Sequence, residues 1–211
     1  KILPKTVKKI AVLDRTKENG SNAPLYLDIS NFVKENNLNI EVYGGRYGLS
    51  GKDTNPSHIK TIYDYLSNGK IFNNFTIGIV DDVTNLSLKT TKFKIPSKNY
   101  EMLIYGFGSD GMVSASKDII KITGTGSNAF VQGYFEYDSK KSGGVTISHL
   151  RFGSRPIRST YYVNMANTLV VTKDTYLTKF DLFGKIKENG IFILNTERNK
   201  EEVLELLSNK N

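Results

Sequence analysis

Cysteine is absent from this sequence of 211 residues, and histidine occurs only twice, at His58 and His149. Without cysteine, the chain has no disulfide, no thiolate zinc site, no cysteine nucleophile and no cysteine-ligated iron–sulfur cluster. The two histidines are far apart in sequence, and no acidic ligand pattern accompanies either of them. We therefore predict no metal site and no catalytic residue in this stretch of chain.

Long apolar runs are also missing. Every apolar stretch is much shorter than the ~18 residues that a membrane-spanning helix needs, so we expect no membrane segment and a cytoplasmic protein. The sequence begins at Lys1 without a methionine or an apolar signal region. The simplest interpretation is a piece of a longer polypeptide that continues on both sides.

Positive charge is in excess, with 29 Lys+Arg against 21 Asp+Glu and a net charge of +8. Such a charge suits either nucleic acid or an anionic small ligand. The basic residues are scattered, and neither an aromatic platform with clustered Lys/Arg nor a known nucleic-acid-binding motif is evident. We therefore expect a solvated surface and no nucleic-acid partner.

The first part of the chain has the alternating pattern of a parallel α/β unit. The predicted elements are a strand at KIAVLD, a helix at Leu25–Asn36, an extended segment at Asn39–Tyr43, a turn at Gly44-Gly45, a helix at His58–Leu66 and a strand at Phe75–Val80. The following basic segment, Lys89–Asn99, loses this periodicity and is predicted to be a linker between domains.

A second unit of similar pattern begins at Tyr100. Its predicted elements are strands at Tyr100–Tyr105 and Phe130–Tyr137, an extended segment at Gly144–Leu150, strands at Thr168–Val171 and Gly190–Leu194, and helices at Gly111–Lys121, Thr175–Glu188 and Lys200–Leu207. The sequence thus predicts an α/β protein of two open parallel-sheet Rossmann-like units in tandem. We place the domains at residues 1–98, which include the linker, and 99–211.

The most informative local motif is Gly106-Phe107-Gly108-Ser109-Asp110-Gly111, a GxGxxG between a predicted strand and a predicted helix. In that position the first glycine allows a tight turn, the second lets the backbone approach a phosphate, and the third permits close helix packing. The amides at the start of the helix attract anions. A glycine-rich turn without a ligand is the alternative, but strand and helix together favour phosphate binding.

The residues at the end of the next predicted strand, Phe130–Tyr137, indicate which kind of nucleotide could bind. An NAD site needs an acidic residue there for the ribose hydroxyls, whereas this sequence has Tyr137-Asp138-Ser139-Lys140-Lys141. Two lysines and a serine suit phosphate groups better than a diol, although Asp138 remains a candidate diol acceptor. A solvated charged turn is equally compatible with the two lysines. An independent nucleotide-binding module or an NADP-dependent dehydrogenase domain is therefore the alternative function.

Longer motifs point to a family. The glycine loop, YDSKKSGGVTISHLRFG from Tyr137 to Gly153 and PIRSTY from Pro156 to Tyr161 resemble the gamma-like domain of pyruvate:ferredoxin (flavodoxin) oxidoreductases. Upstream, GGRYGL from Gly44 to Leu49 and FTIGIVDDVTNLSL from Phe75 to Leu88 resemble the end of the transketolase-C-terminal-like domain of the same enzymes. The resemblance covers nearly the whole chain in order.

The resemblance implies a function. These enzymes oxidatively decarboxylate pyruvate to acetyl-CoA and CO2 on thiamine diphosphate, and pass the electrons through iron–sulfur clusters to ferredoxin or flavodoxin. It implies that thiamine diphosphate, Mg²⁺ and 4Fe–4S clusters are held by other domains of the same polypeptide, which forms a homodimer. In this segment it implies a coenzyme A site, lined by Gly108, Ser109, Asp110, Gly111 and Met112, with Lys140 as a phosphate partner. The segment alone would not be catalytic.

Several charged residues in the matching motifs are compatible with more than one role. Arg151, Arg155 and Arg158 suit both a salt bridge between domains and a contact with ligand phosphate. The role of Arg46 is equally open. Asp81-Asp82 could be acid–base machinery, but a carboxylate pair at a strand end more often caps a helix or forms a turn.

Overall fold

The chain forms two compact units. A computed structural model describes residues 3–138 and 144–208 and separates a first unit, Lys1–Ile95, from a second, Pro96–Asn211. The sequence-based boundary was placed after residue 98. In the described part of the chain, none of the helices is long and apolar enough to cross a membrane.

The first unit is a parallel α/β unit of three strands and two helices. In chain order these are β1 (Lys9–Asp14), α1 (Pro24–Glu35), β2 (Glu41–Arg46), α2 (Pro56–Ser67) and the two-residue strand β3 (Phe75–Thr76). Strand β2 lies between β1 and β3, and both pairings are parallel. The α/β pattern predicted for this region is confirmed.

Both helices of the first unit begin at a proline. Pro24 and Pro56 occupy the first helical turn, where the missing N–H of proline is not needed. The Asn55 side chain caps α2 by accepting a hydrogen bond from the His58 amide. Helix α2 then packs Ile62 against Phe75 and Ile77, which are both almost fully buried.

Two predictions for the first unit were wrong in detail. Gly44 and Gly45 do not form a turn, because both pair with β1 inside strand β2. A Cβ at Gly44 would lie 2.9 Å from the Tyr26 ring, and one at Gly45 would overlap the Phe75 ring. These glycines therefore make room for aromatic side chains in a continuous strand. The strand predicted at Phe75–Val80 is confined to its first two residues.

The second unit contains a five-stranded sheet in the order β5-β6-β4-β7-β8. Its elements in chain order are β4 (Tyr100–Phe107), α3 (Met112–Gly126), β5 (Phe130–Tyr137), β6 (Val145–Gly153), β7 (Ala166–Val171), α4 (Tyr176–Lys179), β8 (Ile186–Leu194) and α5 (Lys200–Ser208). Strands β4, β7 and β8 are mutually parallel neighbours. This parallel half of the sheet follows the Rossmann-like prediction.

The other half of the sheet differs from the parallel arrangement that was predicted. Strand β6 runs antiparallel to both β4 and β5. Only residues 138–144 separate β5 from β6, and a parallel crossover needs about a dozen residues or more. The short connection therefore forces β5 and β6 into an antiparallel pair, and the second sheet is mixed.

The two faces of the second sheet are covered by different elements. Helix α3 lies on the face of Gly133, where a Cβ would overlap the Ile120 side chain of the helix. The opposite face carries the apolar core, in which Leu103 and Leu169 pack with Tyr176 and Leu177 at the start of α4. Helices following β4 and β7 thus lie on opposite faces of the sheet.

The helix predicted at Thr175–Glu188 is wrong. Only Tyr176–Lys179 is α-helical, a 3₁₀ turn follows at Phe183–Lys185, and β8 already begins at Ile186. Ile186 pairs with Ala166 of β7. Pairing with a distant strand therefore overrides the local helical period, as tertiary contacts often do.

Candidate functional site

The glycine motif forms a loop between the end of β4 and the start of α3. A Cβ at Gly106 would lie 2.9 Å from both the Met112 Cβ and the Thr146 Oγ1, so only glycine fits without a shift. The Gly108 amide donates a hydrogen bond of 2.8 Å to the Gly144 carbonyl, which joins this loop to the start of β6. Gly111 precedes the helix with a φ of 84°, a left-handed conformation that favours glycine.

Asp110 holds the loop together through its side chain. Its carboxylate accepts hydrogen bonds from the Phe107 amide at 2.6 Å, the Met112 amide at 2.9 Å and the Thr172 hydroxyl at 2.9 Å. Hydrogen bonds to a charged acceptor are stronger than neutral ones. Asp110 therefore stabilises the loop, and it accepts a hydrogen bond from Met112, the first amide of helix α3.

The remaining amides at the start of α3 are suited to an anion. Val113 and Ser114 belong to the first helical turn, whose amides have no acceptor within the helix. The i to i−4 pattern starts only with the Ala115 amide, which donates to the Gly111 carbonyl. Ser109 and Gly111 are exposed beside this turn, and the helix dipole adds partial positive charge there.

The loop lies at the point of the sheet where ligands of open α/β proteins usually bind. Strands β4 and β7 are parallel neighbours, and their following helices lie on opposite faces. The carboxyl ends of two such strands leave a crevice between the diverging connections. The glycine loop forms one side of this crevice, and residues 172–174, after β7, form the other.

Two residues on the β7 side were missed by the sequence reasoning. Thr172 bonds Asp110, and the Lys173 Nζ lies 3.6 Å from the centroid of the Phe107 ring. A cation over an aromatic face is attracted by the ring quadrupole, so Phe107 helps to hold this ammonium at the loop. The sequence offered one signal for these two residues: both directly follow the predicted strand Thr168–Val171.

The structure describes five of the six predicted site residues. Gly108, Ser109, Asp110, Gly111 and Met112 are contiguous in the loop and the start of α3. Lys140 lies outside the described residues. The two ends of its loop are fixed, since the Asp138 amide donates to the Val145 carbonyl and Gly144 bonds Gly108. Gly144, the first described residue after Lys140, therefore lies beside the glycine loop.

Arg151 has a structural partner inside the second unit. Its side chain is 1% exposed, and its Nε lies 3.0 Å from Glu101 Oε1, whose other oxygen lies 3.0 Å from Lys187 Nζ. Arg151 also bonds Gln132 at 3.0 Å and lies over the Tyr161 ring. A buried charge needs such pairing. Neither role considered for Arg151 from the sequence describes this contact, while Arg155 and Arg158 lie exposed beyond β6.

Asp82 belongs to a turn. Its carboxylate accepts hydrogen bonds from the Thr84 hydroxyl and amide and from the Ser87 amide, and these bonds lower the pKa of Asp82, with the Thr84 hydroxyl contributing most. Asp81 is exposed and lies 3.7 Å from Lys52. The turn interpretation of the acidic pair is therefore confirmed for Asp82.

The histidines have packing roles. His149 is 5% exposed, accepts a hydrogen bond from the Val163 amide and stacks on the Tyr162 ring at 4.4 Å. His58 packs beside Gly78, and burial lowers its pKa although nearby Asp53 acts in the opposite direction. Within residues 3–138 and 144–208, no group of three or more His, Asp or Glu side chains could hold a metal ion.

Comparison with known proteins gives consistent results. The family model described as pyruvate ferredoxin/flavodoxin oxidoreductase matches residues 101–210. The chain is 48% identical to the pyruvate:ferredoxin oxidoreductase of Moorella thermoacetica over 206 residues, covering 96% of this chain and 18% of that protein. It is 47% identical to the pyruvate-flavodoxin oxidoreductase of Trichormus variabilis over 214 residues, covering 99% of this chain and 18% of that protein.

Among solved structures, the pyruvate oxidoreductase subunit PORC of Thermotoga maritima matches with 22% identity and a TM-score of 0.44, over 53% of this chain and 58% of that subunit. That score is too low to bear on function. The curated relatives, in contrast, align along almost all of this chain, which spans less than a fifth of their length. The chain belongs to the pyruvate ferredoxin/flavodoxin oxidoreductase family.

Proposed function

We propose that this chain is an internal part of a pyruvate:ferredoxin or pyruvate:flavodoxin oxidoreductase, and that its second unit contributes to the binding of coenzyme A. The observation that carries the proposal is the glycine loop of the second unit, which presents the start of helix α3 in the crevice between β4 and β7. The names of the relatives supply the reaction, and the loop supplies a place for a ligand with several phosphate groups.

In the proposed site, backbone amides and side chains have separate tasks. The amides of Val113 and Ser114, at the start of α3, donate hydrogen bonds to phosphate oxygens. The exposed Ser109 hydroxyl adds a donor, and Lys173 adds positive charge from the opposite side of the crevice. Asp110 keeps the loop closed without contacting the ligand, because its carboxylate is already engaged by three donors.

Lys140 remains part of the proposal as a second cation. It lies outside the described residues, and its role is inferred from the family resemblance. Gly144, four residues further along the chain, accepts the hydrogen bond of the Gly108 amide. This contact supports the proposal, because it joins the chain shortly after Lys140 to the glycine motif.

The chemistry of the reaction is assigned to other parts of the longer protein. The oxidative decarboxylation of pyruvate to acetyl-CoA and CO2 uses thiamine diphosphate with Mg²⁺ and iron–sulfur clusters, which we place in other domains. Cysteine ligands for such clusters are absent from this sequence. We further propose that the longer protein is a cytoplasmic homodimer that delivers electrons to ferredoxin or flavodoxin.

Calorimetry on the 211-residue chain tests the coenzyme A site. We expect weak, saturable binding of coenzyme A and no oxidation of pyruvate, since other domains complete the site. Lys140→Ala should weaken binding by about tenfold to a hundredfold, because a contact of lysine with phosphate contributes about 1 to 3 kcal/mol. Gly108→Val should abolish binding by obstructing the loop.

The competing functions give different results in the same experiment. Tighter binding of NAD or NADP than of coenzyme A would assign the loop to a dehydrogenase-type nucleotide site. Binding of coenzyme A that is unchanged by both Lys140→Ala and Gly108→Val would place the ligand elsewhere and refute the proposed site. Lys179→Ala, which alters an exposed lysine on α4, serves as the matched control.

A further inference from the structure

A polar cavity of about 250 Å³ lies in the first unit, at the carboxyl ends of β1 and β2. Its polar lining comes from the loop after β1, the start of α1, the end of β2 and the residue before β3: Lys17, Ser21, Asn22, Tyr26, Arg46 and Asn74. No motif identified in the sequence assigns a function to this set, and Arg46 was left without a role. All of its lining residues belong to the first unit, and none of them belongs to the glycine loop.

The charge of the cavity favours an anion. Lys17 and Arg46 both line it, and across residues 3–138 and 144–208 neither has a carboxylate within 4.0 Å. Arginine presents planar N–H groups that match the oxygens of phosphate or carboxylate, while lysine adds a point charge. Two cations without a protein counter-ion in one concavity are therefore suited to a small oxyanion.

One wall of the cavity, formed by Tyr26 and Gly44, is fixed before any ligand arrives. The Asn73 side chain accepts a hydrogen bond of 2.7 Å from the Gly44 amide and donates one of 3.0 Å to the Tyr26 hydroxyl. Gly44 in turn leaves the space that the Tyr26 ring fills. This wall therefore loses little conformational entropy on binding.

Helix α1 does not supply the anion-binding groups. Its Leu25 amide donates to the Asp14 carboxylate at 2.9 Å, so a carboxylate of the protein already occupies the first turn. Recognition would instead depend on the Arg46 and Lys17 side chains, with hydroxyl and amide groups beside them. The position matches the general location of ligands in open α/β sheets, outside the carboxyl ends of parallel strands.

We propose that this cavity binds the phosphate group of a small phosphate ester, with Arg46 and Lys17 as the cations that contact it. The volume of about 250 Å³ lies just below the roughly 300–1,000 Å³ of typical ligand pockets, which favours a small compound. The inference is independent of coenzyme A binding in the second unit.

Amide NMR of the 211-residue chain, titrated with inorganic phosphate and with glycerol 3-phosphate, tests the proposal. We expect saturable shifts at Gly44, Gly45 and Asn74, with the ester binding more tightly than phosphate alone. Arg46→Gln should weaken binding by about tenfold and Lys17→Gln by about threefold, in keeping with charge-assisted hydrogen bonds at a half-buried and an exposed cation. Lys34→Gln, which removes the same charge at the far end of α1, should change nothing.

Three outcomes would overturn the phosphate site. The first is shifts that do not saturate or that spread over exposed lysines, which indicate non-specific attraction. The second is unchanged affinity in Lys17→Gln together with unchanged affinity in Arg46→Gln. Because Lys17 is exposed in a loop, its variant stays informative even if Arg46→Gln, in a strand, fails to fold. The third is malonate binding as tightly as the phosphate ester, which would assign the cavity to carboxylates.

Discussion

Glycines in strand β2 of the first unit and in the loop after strand β4 of the second unit have different functions. Gly44 and Gly45 lie inside β2, and the space beside them is filled by the Tyr26 and Phe75 rings. Gly111 lies in a loop with a positive φ, and no atom lies within 4 Å of where its Cβ would be. A glycine can therefore either make room for a neighbouring side chain, as Gly44 and Gly45 do, or leave open space at the start of a helix, as Gly111 does.

The largest effect is expected from Gly45→Ala. The new Cβ overlaps the ring of Phe75, which is 0% exposed, so the core of the first unit must shift. Overpacking of this kind costs about 1 to 3 kcal/mol, and we expect the upper end because the ring has no room to move. Urea unfolding followed by circular dichroism measures the loss.

Gly126→Ala is the control for this prediction. Gly126 ends α3, and nothing lies within 4 Å of the position of a Cβ. Its free energy of unfolding should match the wild type or rise slightly. A Gly45→Ala protein as stable as the Gly126→Ala protein would contradict the packing role of the β2 glycines.

Gly111→Ala should have a smaller effect on stability and a separate effect on binding. The backbone φ of 84° strains any residue with a side chain, at a cost of about 1 to 2 kcal/mol. The added methyl group also projects into the open space at the start of α3, so the affinity for coenzyme A should fall. The same unfolding experiment and calorimetry measure both changes; unchanged binding would show that the open space is not part of the site.

Lys173→Met tests the side of the crevice that the sequence did not reveal. Lys173 is exposed and lies over Phe107, so its replacement should leave the stability nearly unchanged. Removing the cation should weaken coenzyme A binding by about tenfold, the effect of one charge-assisted contact. Calorimetry with Lys179→Met as the control distinguishes this contact from a general loss of positive charge.

The smallest effect on stability is expected from breaking the ion pair between Asp174 and Arg198. The Arg198 guanidinium, 3.0 Å away, is the main cause of the lowered pKa of Asp174, and the Thr196 hydroxyl adds to it. A lowered folded-state pKa stabilises the fold above the ordinary aspartate pKa of about 3.9, and this gain is lost as the pH falls through the lower value. Arg198→Met should therefore cost about 0.5 kcal/mol or less at neutral pH and nothing in strong acid. Unfolding curves across this range measure the difference.

Local patterns predicted much of the fold. Strand β5 was predicted at Phe130–Tyr137, and the structure has the same bounds. Helix α1 and helix α5 were predicted to within one residue at each end. These elements have a clear hydrophobic period or a terminal proline, which are signals contained within a few neighbouring residues.

Features that depend on distant partners were not predictable. Arg151 was recognised as part of a motif, but its partner Glu101 is 50 positions away in the sequence. The helix predicted at Thr175–Glu188 fails because β8 pairs with β7 from Ile186 onwards. Lys173 has no motif of its own, and only the adjacency of β4 and β7 brings it to the glycine loop.

The most direct test of the coenzyme A site is amide NMR of the chain titrated with coenzyme A and, separately, with pantetheine, which lacks the phosphate groups. We predict that coenzyme A shifts the amides of residues 108–114 and of Thr172 and Lys173 most strongly, because phosphate binds at the start of α3. Pantetheine should leave the amides of Val113 and Ser114 unchanged. Coenzyme A shifts concentrated at Gly44–Arg46 in the first unit, or equal shifts at α3 with pantetheine, would contradict it.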